Sequence, residues 1–151
     1  WTALLLAAWP AIGLADDTAG DMAGVWKIGC TDGPCQAYFS VQAEGKALLT
    51  WSLLHDKAAG RDVAVLRLPV RVALPPGAQL SAGATKLSLP FQFCDPEACT
   101  AIGVIEPAMR DALAAATTAR IAWFAYGQPQ PLSYEVPITG FSDALARLAA
   151  R

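Results

Sequence analysis

Two cysteine pairs with identical spacing constrain this chain more than any other feature. Cys30 and Cys35 enclose Thr31, Asp32, Gly33 and Pro34; Cys94 and Cys99 enclose Asp95, Pro96, Glu97 and Ala98. Both insertions carry turn formers: Asp accepts nearby backbone amides, Pro presets φ, and Gly tolerates positive φ. A four-residue hairpin loop sets its flanking residues opposite each other, at a separation a disulfide accepts. Pairing of Cys30 with Cys35 and of Cys94 with Cys99 is therefore expected over crossed pairing. Two close thiol pairs also suit a four-thiolate zinc site, which stands as one alternative. A thiol–disulfide redox protein is another. It needs a low-pKa thiol, usually at a helix N-terminus, whereas neither pair is a C-x-x-C motif and both flank strand-like sequence.

The N-terminus gives the compartment that such a disulfide framework needs. Trp1 to Ala15 has no charged residue and is dominated by Leu and Ala, and Gly13-Leu14-Ala15 precedes polar Asp16-Asp17-Thr18. This is the pattern of the apolar region and cleavage site of a secretory signal peptide. With no initiator Met and no basic leader, residues 1–15 are read as a signal peptide truncated at its start. Residues 16–151 are then expected to form a single domain that is periplasmic or secreted, where disulfides persist. No Cys sits at the cleavage point to carry a lipid anchor, and no transmembrane segment is expected after it. The formal charge is −2 with no basic block, so electrostatic binding to nucleic acid or to an anionic lipid surface is not supported.

Alternating apolar and polar residues set the fold class. Strands are expected over Gly24–Cys30, Gln36–Gln42, Lys46–His55, Val63–Leu74, Ala78–Leu80, Lys86–Cys94, Thr100–Ile105, Arg120–Tyr126 and Leu132–Ile138. Asp16 to Ala23 reads as a polar lead-in and Asp56 to Asp62 as a polar loop. Pro69 suggests a bulge or an edge strand, and Arg67 and Arg71 fall on one face of it. Pro107 can open a short helix that places Met109, Leu113 and Ala116 on one side. Thr139 or Ser142 can cap a C-terminal helix with Phe141, Leu145 and Leu148 as its docking stripe. The expectation is a mainly β protein: an antiparallel immunoglobulin-like β-sandwich with two short helices, one of them C-terminal.

At this point four ordered segments resemble the invasion-associated locus B family of small exported bacterial β-sandwich proteins. They are Trp26 to Cys30, LPVRVALPPGAQL from Leu68 to Leu80, LPFQFCDPEACTA from Leu89 to Ala101, and PITGFSDALARL from Pro137 to Leu148. Two departures are visible. The first Cys pair is more closely spaced than is usual in the family, and Arg71 stands where a small residue is expected. The resemblance implies a secreted or periplasmic protein linked by name to host-cell invasion, with no catalytic residues attached to it.

The side chains themselves announce little chemistry. His55, the one histidine, lies beside Asp56 and could be a general base oriented by a carboxylate; a solvated loop histidine is the simpler reading. Ser52 falls on the opposite strand face. Asp95 and Glu97 could hold calcium or act as an acid–base pair, but a turn role suits them better. Trp26, Trp51 and Trp123 all fall on expected strands, as sandwich core or as an aromatic platform. Tyr126, Gln128 and Tyr134 mark the best interaction loop. The expectation is a non-enzymatic binding protein without a cofactor, acting on an unknown protein or envelope component.

Overall fold

The computed structural model describes residues 21–31 and 33–151. The expected signal peptide lies outside them. Strand alternation translates directly into burial. In Arg61–Pro69 (β5), Asp62, Ala64, Leu66 and Leu68 point inward while the residues between them face out. In spatial order the larger sheet contains Met22–Ala23 (β1), Trp26–Gly29 (β2), Gln36–Ala43 (β3), Lys46–Asp56 (β4), β5, Ala98–Ile105 (β9) and Phe91–Cys94 (β8). The smaller holds Leu132–Pro137 (β11), Thr118–Trp123 (β10), Ala78–Ala82 (β6) and Thr85–Leu89 (β7). All pairings are antiparallel. Two sheets around one core match the sandwich expectation; the seven-and-four division among the described residues differs from the strand count of an immunoglobulin domain.

Both sheets and both helices contribute to one hydrophobic core. Pro107–Ala115 (α1) buries Met109 and Leu113 against β6 and β7. Phe141–Ala149 (α2) buries Phe141, Ala144, Leu145 and Leu148 and packs on β3 and β4. The centre is aromatic. Trp26 meets Phe39 and Trp51 edge-on, at centroid distances of 4.7 and 5.1 Å, and Phe141 lies 6.2 Å from it. Such edge-to-face pairs place positive ring edges on negative ring faces. The tryptophans are therefore core, not a platform.

Several boundaries differ from the sequence reading. Met22 and Ala23 are not a lead-in but pair with β2. The stretch 63–74 is not one strand: β5 ends at Pro69, and Arg71 adopts φ 68°. Arg67 and Arg71 therefore share no strand face. β5 is not an edge either, since it lies between β4 and β9; Pro69 is accepted because it is the terminal residue. The stretch 86–94 divides at Pro90, where the chain leaves the smaller sheet as β7 and enters the larger as β8. Proline has no N–H to continue the ladder, and its carbonyl instead accepts from Ile102 N at 3.2 Å.

Neither Thr139 nor Ser142 caps α2. Gly140 occupies the cap in the left-handed region, with no side-chain cap bond. The reason is close backbone packing: a Cβ on Gly140 would sit 2.2 Å from the Ala23 carbonyl oxygen. Val25 N also donates to the Thr139 carbonyl at 3.0 Å, so β1 and α2 meet backbone to backbone. Gly140→Ala should lower unfolding stability by more than about 3 kcal/mol, combining left-handed strain with this clash. Gly127, with similar φ and nothing within 4 Å of its Cβ position, should lose only about 1 kcal/mol on the same change. Urea unfolding of the two variants checks the difference.

Candidate functional site

The β4–β5 hairpin builds the site. Its ladder pairs Leu54 with Val63 and Ser52 with Val65, and β9 adds Val104 beside Val63 and Ile102 beside Val65. These residues share the outer face, because their neighbours Leu53, Ala64 and Leu66 are fully buried. The outer face of the sheet centre is thus aliphatic and half-buried. A groove of about 730 Å3 lies on it, floored by Leu54, Val63, Val65 and Ile102. Gly33, Pro34 and Cys35 of the first hairpin and Leu148 of α2 complete its apolar wall. His55, Asp56, Lys57 and Arg151 supply its polar lining. Its volume lies in the range of small-molecule sites, which are likewise mostly apolar with a few polar groups.

His55 is not a solvated loop residue, and Asp56 is not its partner. Its Nδ1 lies 2.7 Å from Oδ1 of Asp62, its ladder partner across the hairpin. Asp62 is 3% exposed, and its other oxygen pairs with Arg110 of α1. Asp56 instead ends the strand: Oδ1 accepts from Ala59 N at 3.1 Å, and Oδ2 faces Arg61 at 3.5 Å. The sequence signal was present in the short turn from Lys57 to Gly60, which sets residue 55 opposite 62. Arg110 carried no such signal, since only packing of α1 brings it there. The cluster also lines a smaller cleft of about 240 Å3 beside α2, and His55 borders both cavities.

The cysteines pair locally, Cys30 with Cys35 and Cys94 with Cys99. They sit at opposite ends of the larger sheet. Gln36, next to Cys35, registers through Leu54 to Val63, whereas Cys99 registers with Leu68. Five residue steps along β5, from Val63 to Leu68, span roughly 17 Å. The four sulfurs do not converge, which removes the basis for a four-thiolate zinc site. Among the described residues no three metal-ligating side chains come together.

Asp95 is a turn residue with both oxygens engaged. Oδ1 accepts from the amides of Glu97 and Ala98, each at 2.8 Å, and Oδ2 from Arg67 at 3.3 Å. The proposed interaction loop divides. Tyr126 is 79% exposed and Gln128 is also exposed, but the Tyr134 ring stacks on Trp123 at 5.4 Å. Tyr134 is thereby committed to packing, and the loop presents Tyr126 and Gln128 alone.

A sequence profile for "Invasion associated locus B (IalB) protein" matches residues 26–149. The chain belongs to the invasion associated locus B family. The matched span includes both disulfides, every groove-floor strand and the His55–Asp62–Arg110 cluster. The crystal structure of invasion associated protein B from Bartonella henselae is similar to it at a TM-score of 0.76 and 24% identity. That likeness covers 86% of this chain and 95% of the other, and it shows a shared fold. No match is found among curated proteins. Among the described residues of this IalB family member, no helix is long and apolar enough to cross a membrane.

Two outcomes test the site geometry. The amides of Ala98, then of Glu97, and further Arg67, hold the Asp95 carboxyl below its ordinary value, against a smaller opposing effect of desolvation. A depressed folded value means stabilisation that is complete above the unfolded pKa and lost as pH falls through the folded one. Asp95→Ala should therefore be destabilising above about pH 4, and its difference from the unaltered protein should shrink as pH falls further, read by urea unfolding across pH. Arg110→Met should cost about 3 kcal/mol, because it leaves buried Asp62 with His55 alone. Adding Asp62→Asn should recover part of that loss, which a double-mutant cycle measures.

Proposed function

We propose that this chain is an exported, non-enzymatic binding protein of the bacterial envelope, periplasmic or secreted, and that it binds through the outer-face groove. The observation that carries this reading is the groove itself, an apolar concavity of about 730 Å3 on the outer face of the larger sheet. Export is supported by two disulfides, one of them in the exposed hairpin beside the groove, since such bonds persist in oxidising compartments. The non-enzymatic reading is supported by the work His55 already does. With Asp62 and Arg110 it ties the β4–β5 hairpin to α1, a structural use. Association with invasion belongs to the name of the family and of the Bartonella henselae protein; for this chain the groove is the feature through which such a role would act.

Cell fractionation should place the protein in the osmotic-shock fluid or the culture medium. A photo-crosslinking residue at Val65 should give adducts in living cells, while one at exposed Lys86 on the smaller sheet should give none. Retention in the cytoplasm would overturn the export reading, and equal labelling at the two positions would overturn the groove.

A further inference from the structure

We infer that the groove takes a fatty acid: a single unbranched acyl chain ending in a carboxylate. The inference rests on the groove being the binding site and names the chemistry of its ligand. Three observations on the lining select that chemistry.

The floor is aliphatic and comes from interior strands. Leu54, Val63, Val65 and Ile102 lie on β4, β5 and β9, each of which has ladder partners on both sides. No backbone edge is therefore open to a peptide strand on this floor. A peptide laid there would carry its own amides against hydrocarbon without partners, which is costly. An acyl chain brings no such groups.

The polar lining is gathered at one end. His55, Asp56 and Lys57 are consecutive at the close of β4, and Val65 and Ile102 lie farther along the sheet from that turn. The groove is thus polar at one end and apolar along its length, which fits an amphiphile with one head and one tail.

Among the described residues, the charge at that end is unbalanced toward positive. Asp56 is held by Arg61, and Arg151 by Asp21. Lys57 has no carboxylate partner among the described residues. A carboxylate head supplies the missing anion to Lys57, in a charge-assisted hydrogen bond.

The test uses protein purified from the periplasm and stripped of bound lipid by reverse-phase extraction and refolding with its disulfides intact. Cis-parinaric acid, whose fluorescence rises in an apolar site, should bind saturably and one to one. Lauric acid should displace it about tenfold more strongly than dodecanol, which has the same tail and no charge. Lys57→Gln should weaken lauric acid to the level of dodecanol and leave dodecanol unchanged. Val65→Asp should abolish both; because that variant places a charge on the sheet face, its circular dichroism is compared with wild type. A diazirine-bearing fatty acid photolysed on the unaltered protein should label β4, β5 or β9, which needs no variant to fold.

Absence of saturable binding, equal displacement by acid and alcohol, or labelling confined to other strands would each overturn the fatty-acid assignment. If adducts form from Val65 in cells while fatty acids fail to bind, the ligand class falls and the groove stands. If neither is seen, both fall together.

Discussion

The register of β4 against β5 is the constraint on which the rest depends. Trp51 pairs with Leu66 and Leu53 with Ala64, and all four are fully buried. Side chains on a strand alternate, so a slip of one residue would exchange every inward group for its outward neighbour. Burying a large apolar side chain is worth roughly 1.5–3 kcal/mol, so a slip that exposed Trp51, Leu53 and Leu66 would cost several times that. The core thereby dictates what faces out. Leu54, Val63 and Val65 line the groove because Trp51 and Leu66 must line the core. The same register sets His55 opposite Asp62.

The ends of the described chain are tied to this hairpin through aromatic packing. Phe141 of α2 lies against Trp26, and Trp26 against Trp51. That chain of contacts holds α2 across the sheet and brings Leu148 and Arg151 to the groove. Asp21 pairs with both Arg147 and Arg151, and the backbones of Ala23–Gly24 and Thr139–Gly140 touch. The wall of the groove is thus built from residues more than a hundred positions apart in sequence. Its floor comes from three neighbouring strands.

Much of the fold was legible because it follows local periodicity. The alternation in β4, the Met109 and Leu113 face of α1, and the Phe141, Leu145 and Leu148 stripe of α2 each reflect a single element burying one side. Misreadings cluster where one residue changes the path of the chain. At Pro90 the alternation continues through a corner between sheets, so nine residues resemble one strand. At Arg71 a positive φ turns the chain where the pattern of apolar residues gives no warning. At Gly140 the cap is chosen by the nearness of another backbone, not by the hydroxyls of Thr139 and Ser142. The site was less legible still. His55 is visible in the sequence, but its partner Asp62 falls in a stretch that reads as a polar loop, and nothing near Arg110 in sequence points to His55. The groove could not be read at all, since Val63, Val65 and Ile102 look the same in sequence whether they face a core or a concavity.

The sequence by itself determined the strand-rich fold class, the two helices, the local pairing of cysteines across short turns and the family. Each depends on residues near one another in the chain or on ordered motifs along it. Only the tertiary structure decided which aliphatic face is covered and which is open. It also decided where the two disulfides sit relative to each other, and that a buried carboxylate joins His55 to α1. The physical reason is that burial is a property of packed layers. A strand states its period, but the sheet or helix that comes to lie on it determines which of its two faces meets water.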